Sequence, residues 1–248
     1  MRSESNYYGR FDLAPDIIDP NRLAINKYWD NLTDYFNGAT LNALCVCDTS
    51  GSMTMTLRSK IAPITVAISL ALYTAERAQG PFHNHFISFS SRPQLLQVKG
   101  VDFCDKVDRI YRQNLCDNTN IEATFDLILN TAWSHRLKQT DIPDNIIVIS
   151  DMQFDEAQGY HAKNETLFDT IQRKWEQKGY IMPHLIFWNV NAASGGGNIP
   201  IRDDGAVTYV SGASPSILTS ILTGKTGIQL MYETLNNPRY SLVSSIKM

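Results

Sequence analysis

The chain has 248 residues, of which 43% are hydrophobic and 19% charged, with a formal net charge of -3 and a pI near 5.9. That is the composition of a globular protein long enough to bury a sizeable core, which excludes a disordered chain and leaves no basic face for non-specific nucleic-acid binding. Four cysteines, Cys45, Cys47, Cys104 and Cys116, are too sparse for a disulfide scaffold, and no CxxC pair signals a zinc ribbon.

Residues 1–20 read as an irregular polar arm with two prolines and no apolar stretch of the kind a secretory signal needs. From Asn21 to Phe36, Leu23, Ile25, Tyr28, Trp29, Leu32 and Phe36 fall at roughly helical spacing, and Asn37-Gly38 is the expected stop. "LNALCVCD" is a short apolar run ending on Asp48, suited to a strand buried on both faces, with Cys45 and Cys47 as small hydrophobes on one of them. Ile61 to Gln79 predicts a deeply packed helix stopped by Gly80-Pro81. Pro63, Thr65, Ser69 and Thr74 interrupt it, so it is too short and too broken to span a bilayer. The expectation is a soluble, cytoplasmic protein with no membrane contact.

"HNHFISFSS" and "QLLQV" predict two strands whose short linkage favours antiparallel pairing. A weaker helix covers 102–112. After it, Ile121, Phe125, Ile128, Leu129, Ala132 and Trp133 form an amphipathic stripe. "NIIVISD" is a further buried strand and also ends on an aspartate, Asp151. Residues 163–178 predict a helix with Leu167, Phe168, Ile171 and Trp175 inward. "PHLIFWNV" and "AVTYVS" follow as strands, then a helix from Ser214 to Leu222 and a helical tail from Gly227 to Leu235. Strands alternating with helices define an α/β fold: a doubly wound, mostly parallel central sheet with helices on both faces and one antiparallel edge strand. The organisation expected is an N-terminal arm and helix over 1–38 and one domain over 39–248 that includes the C-terminal tail.

In such sheets ligands sit outside the carboxyl ends of the strands. Asp48 and Asp151 both stand there, Ser50 and Ser52 follow Asp48 at alternate positions, and Thr119 precedes the amphipathic helix. An all-oxygen set with few charges suits Mg²⁺ or Mn²⁺; Zn²⁺ would look for His or Cys. One or two carboxylates do not neutralise a divalent ion, so the metal would keep waters and accept an acidic oxygen from a partner's Asp or Glu. Bland readings stand beside this one. "DTSGS" also reads as a polar strand-to-helix turn, Asp151 as an exposed strand end, and Thr119 with Glu122 as a T-x-x-E capping box. Asp155 and Glu156 read as solvated helix-start charges. "TSILTGKT" lacks the first glycine of a phosphate loop and follows a helix, "SGGGN" at 194–198 reads as a connector, and His83 and His85, alternating on a strand, read as surface residues or satisfied neighbours rather than ligands.

"DTSGSM" resembles the DxSxS signature of the von Willebrand factor A (vWA) domain, "NTN" resembles that family's threonine loop, and "VISD" its second aspartate strand. The order agrees, and the strand and helix pattern agrees from about residue 40 to 224. The resemblance implies a Rossmann-like fold and a metal-ion-dependent adhesion site (MIDAS) in which Asp48, Ser50, Ser52, Thr119 and Asp151 surround Mg²⁺, some through water, with a ligand's carboxylate completing the octahedron. Asp117-Asn118 stand where glycines are common in that loop. "YWDNL", "CDTSGSM", "ISDMQFDEA", "FWNVN" and "VTYVSG" are similar to the C-terminal A-like domain of an uncharacterised intracellular family related to the Ro (TROVE) ribonucleoproteins. That likeness implies RNA contact only indirectly, through a relative's helical module. The function expected is a non-enzymatic, divalent-metal-dependent protein-binding module. The alternatives are a Mg²⁺-dependent phosphohydrolase of haloacid dehalogenase type, which would want a second aspartate where Ser50 stands, and a structural or ribonucleoprotein assembly subunit with a vestigial metal site.

Overall fold

The computed structural model describes residues 20–36, 42–54, 61–90, 92–112, 120–151, 160–191, 201–203, 207–212, 217–218, 229, 232 and 235–236. Its centre is a seven-stranded sheet in the order β3-β2-β1-β4-β5-β7-β6. The strands are β1 (Ala43–Asp48), β2 (His85–Phe89), β3 (Gln94–Gln97), β4 (Asn145–Ser150), β5 (His184–Asn189), β6 (Ile201–Asp203) and β7 (Val207–Ser211). β2, β1, β4, β5 and β7 are parallel neighbours. β3 is the expected antiparallel edge strand on β2, and β6 adds a second antiparallel edge strand on β7.

The chain lays β1, β2 and β3 outward in one direction, returns, and lays β4, β5 and β7 outward in the other. The strand order therefore reverses between β1 and β4. In a doubly wound sheet this reversal opens a crevice at the carboxyl edge.

β1 is buried at all six positions. Its alternate residues serve two cores. Cys45 and Cys47 join Ile147, Ile149 and the buried residues of α2 (Pro63–Arg77) on one face. Leu44 and Val46 join Ile146, Val148 and the apolar stripes of α4 (Ile121–Ser134) and α5 (Tyr160–Gln177) on the other. Such strands are apolar along their whole length because both faces are covered. α2 starts with Pro63 in its first turn, and ten of its residues are buried. The turn after it takes Gly80 to a φ of 77°, where a side chain would be strained. In the α4 stripe Ile121, Phe125, Ile128, Leu129 and Ala132 are buried, but Trp133 is exposed under Lys178, whose ammonium lies 4.6 Å from the ring centroid. In α5, Ile171 and Trp175 are fully buried and Phe168 packs at the margin; Leu167 lies outside the described side chains. Ile217, Leu218, Gln229, Tyr232 and Leu235 are helical, in keeping with the segments expected there.

The first helix departs from its expected length. α1 runs from Pro20 to Asp30, not to Phe36. The buried Tyr73 hydroxyl donates to the Thr33 carbonyl at 2.9 Å and accepts from the Tyr35 amide at 2.8 Å, and Phe36 stacks on the Tyr73 ring. One tertiary partner thus captures backbone groups that a longer helix would need for itself. α1 docks through Trp29, stacked 4.0 Å from Phe103 of α3 (Phe103–Arg112) and donating to Glu76 at 3.0 Å. Arg22 pairs with Asp102 at 2.8 Å. Leu23, Ile25 and Tyr28 remain exposed, so helical spacing here did not mark a buried face.

Candidate functional site

The register brings the two aspartate-bearing strand ends together. Cys47 of β1 is opposite Ile149 of β4, so Asp48 is beside Ser150 and Asp151 follows directly. Parallel strands deliver their carboxyl ends on one side, so the last residue of β1, Asp48, and the first residue past β4, Asp151, stand at the same edge.

Asp48 is 2% exposed. Its Oδ1 accepts from the Ser50 amide at 2.9 Å, and its Oδ2 accepts from the Ser150 hydroxyl at 2.6 Å. The Ser50 contact is the local side-chain-to-backbone bond that favours aspartate at a turn. It bends the chain into the short 3₁₀ turn Gly51–Thr54, which closes with the Met53 amide on the Ser50 carbonyl at 3.1 Å. Met53 is fully buried in the α2-side core and anchors the turn from below. The turn sets the Ser50 and Ser52 hydroxyls 3.1 Å apart, the common aim their alternate spacing suggested. The bland turn reading is therefore true of the backbone, and it is the turn that gathers the hydroxyls.

Asp151 is 3% exposed, which rules out an exposed strand end. Burial pushes the Asp48 carboxyl above its ordinary range. The hydrogen bonds from Ser150 and Ser50 oppose this, and the negative charge of Asp151 adds to it. Two buried carboxylates this close repel in a low-dielectric surrounding, and a cation bound by both would reverse that cost.

Thr119 lies outside the described residues, as do Asp117, Asn118, Asp155, Glu156, "SGGGN" at 194–198 and the lysine of "TSILTGKT". The capping role is resolved all the same. Asn120 caps α4, its side chain accepting from the Ala123 amide at 2.9 Å, so the T-x-x-E capping box is replaced by an asparagine cap one residue later. Glu122 instead meets Lys174 of α5 at 2.8 Å, together with Asp126. His83 and His85 are held by backbone carbonyls of Ala78 and His83, each at 2.8 Å. Among the described residues no three His, Cys, Asp or Glu side chains are grouped so that they could hold a metal ion. Any cation here would rest on two carboxylates and hydroxyls.

The sequence reading did not single out Ser150, fully buried and bonded to Asp48. It also passed over the polar rim beyond it. Asn189 is opposite both Ser150 and Ser211. Its carbonyl accepts from the Gly212 amide and its side chain from the Asn191 amide, each at 2.9 Å. Gly212 has a φ of 127°, and its carbonyl accepts from the Trp188 indole at 2.6 Å. The signal for Ser150 was a hydroxyl immediately before a strand-terminal aspartate.

Strand order, switch point and site together define a doubly wound α/β protein with two buried aspartates and a pair of serine hydroxyls at the carboxyl edge of its sheet. The chain belongs to the family described as a domain of unknown function (DUF7788), which matches residues 42–239. It is 28% identical over 203 residues to "Uncharacterized protein L728" of Acanthamoeba polyphaga mimivirus, a match covering 81% of this chain and 34% of that protein. The chain thus spans about a third of the length of that relative. Among solved structures it overlaps the SpRpn10 VWA domain with a TM-score of 0.40 and 12% identity, over 75% of this chain and 96% of the other. Fold class rests on strand order and register, which stand without that overlap.

Proposed function

We propose that this chain is a non-enzymatic, divalent-metal-dependent protein-interaction module of the vWA type. In this reading Asp48 and Asp151 hold Mg²⁺ or Mn²⁺, Ser50 and Ser52 add hydroxyl oxygens, and Thr119 supplies a further one from the loop before α4. Bound there, the metal would act as a Lewis acid towards a partner's Asp or Glu carboxylate. The observation that carries the reading is the buried pair Asp48 and Asp151 at the switch point, with the Ser50 and Ser52 hydroxyls turned to each other at 3.1 Å. Asp48 accepts from the Ser50 amide at Oδ1, from the Ser150 hydroxyl at Oδ2 and from the Ser50 hydroxyl as well, and the lone pairs of a carboxylate exceed these three, which leaves acceptor capacity for a cation. The donors are hard oxygens throughout, the chemistry that Mg²⁺ and Mn²⁺ select.

Catalysis finds less support. A phosphohydrolase would need an acid two residues after Asp48, and Ser50 cannot shuttle a proton at neutral pH. Among the described residues no helix is long and apolar enough to cross a membrane. Cys45 and Cys47 are free thiols. The cytoplasm, a reducing compartment, is the location that suits them. Kinship with the Ro ribonucleoproteins is carried by sequence likeness alone, and this chain is not proposed to touch RNA itself.

The test is calorimetric titration with Mg²⁺ and Mn²⁺ of the wild type and of Asp48→Ala. Saturable binding in the wild type, lost in the variant, is expected. A wild type that binds neither ion, or an Asp48→Ala variant that binds as well, sinks the metal reading. Metal-dependent turnover of a generic phosphate ester, lost in the same variant, would replace it with the enzymatic one.

A further inference from the structure

Away from the switch point a groove of about 230 Å³ opens between α3 and the β2–β3 pair. Its floor is apolar, made by Phe86, Leu96 and Ile110, and its rim carries Lys99, Lys106 and Arg109. The volume is below the about 300–1,000 Å³ of typical small-molecule sites, and so suits one side chain rather than a whole cofactor.

The three cations differ in what they have left to give. Lys106 is tied to Glu76 at 2.6 Å, and Arg109 to Asp105 through Nε at 3.1 Å. The Nη groups of Arg109 point to no other described partner, and its side chain is 57% exposed. Lys99 is exposed and makes no ion pair or hydrogen bond among the described residues. With Glu76 and Asp105 counted, the groove keeps the unbalanced charge of Lys99 plus unused guanidinium donors. Beside it runs β3, the outermost strand, and no described strand pairs with its outer edge. An exposed edge of this kind can take a further extended strand through its backbone groups.

We propose that this groove binds an acidic, extended peptide segment, with its backbone along the outer edge of β3 and one acidic side chain among Lys99, Lys106 and Arg109. Charge complementarity selects the acid, the small volume selects a side chain, and the edge strand selects an extended chain. The proposal is independent of the metal reading.

The experiment is fluorescence anisotropy in EDTA with a labelled peptide of alternating Glu and Val, its Lys-for-Glu counterpart, and inorganic phosphate as competitor. Wild type, Asp48→Ala and the double charge reversal Lys99→Glu/Arg109→Glu are compared, with urea midpoints reporting that each is folded. Expected are saturable binding of the Glu peptide, weakening with added salt, and a loss of roughly tenfold or more in the charge reversal, with Asp48→Ala unchanged. No binding by wild type, binding undiminished in the charge reversal, or capture of phosphate without the peptide would overturn the proposal. So would peptide binding that is lost in Asp48→Ala, which would assign the peptide to the switch-point edge instead.

Discussion

The Ser150 hydroxyl donates a 2.6 Å hydrogen bond to Oδ2 of Asp48, joining residues 102 positions apart across the boundary between β1 and β4. Both are buried, so the bond offsets part of the cost of holding a carboxylate in the crevice. Replacing Ser150 with Ala leaves that oxygen without its donor. Ser150→Ala is expected to lower stability by about 2 kcal/mol at pH 7, the range for hydrogen bonds to charged groups. Urea unfolding checks this. The loss should shrink in acid, where Asp48 takes up a proton.

The Asp48 carboxyl itself gives a pH prediction. Burial, helped by the charge of Asp151 and opposed by Ser150 and Ser50, raises its pKa in the fold. The folded state then holds the proton more tightly than the unfolded chain, whose carboxyl titrates near about 3.9. Stability from this group is fully present below the unfolded value and is lost as pH rises through the folded one. Asp48→Asn removes the buried charge while keeping the shape. Without added metal, thermal melts should find it at least as stable as wild type at pH 7, with the difference narrowing as pH falls. With Mg²⁺, wild type alone should gain, by about 2.7 kcal/mol at a hundred times the dissociation constant. An equal gain in Asp48→Asn would count against metal binding at this carboxylate.

Trp29 is the main attachment of α1, through its stack on Phe103 and its bond to Glu76. It is only partly buried, so Trp29→Ala is expected to cost about 2 kcal/mol, below the about 3–5 of a fully buried aromatic. Hydrogen exchange should rise in α1 and little in β1 or β4. Protection that stays unchanged in α1 would show that Arg22 on Asp102 and Asn26 on the Cys104 amide hold the helix without it.

Thiol chemistry separates the described cysteines. Burial pushes the Cys45 thiol up to about 12 and drives Cys47 well above its ordinary value, with the charge of Asp48 adding to the latter. The thiolate is the reactive form. Iodoacetamide at pH 8 should therefore leave Cys45 and Cys47 unmodified in the native protein while reaching the half-buried Cys104, as peptide mass mapping would show. Labelling of Cys45 at a native rate would mean that β1 opens locally.

Much of this molecule was legible along the chain. Continuous β-branched and apolar runs such as "NIIVIS" mark strands covered on both faces, and the α4 stripe marks a helix on a core. Asp48 with Ser50 and Ser52 could be read as a unit because an aspartate bonding the amide two residues on is a contact within one turn. The choice between Thr119 and Asn120 as cap could not be read, since both are good caps and stand side by side. The end of α1 was equally hidden, because Tyr73, which breaks it, lies 40 positions beyond the Thr33 carbonyl it holds.

By itself the sequence determined the alternation of elements, the two strands that end on aspartate, and the hydroxyl turn after the first. These depend on periodicity and short-range hydrogen bonds, which are written in neighbouring residues. Tertiary structure alone decided that the two aspartates lie side by side at one sheet edge, that Ser150 bonds Asp48 across strands, and that β6 adds a second antiparallel edge. Those facts depend on strand order and register, set by how two cores pack on opposite faces of one sheet. No local pattern encodes them.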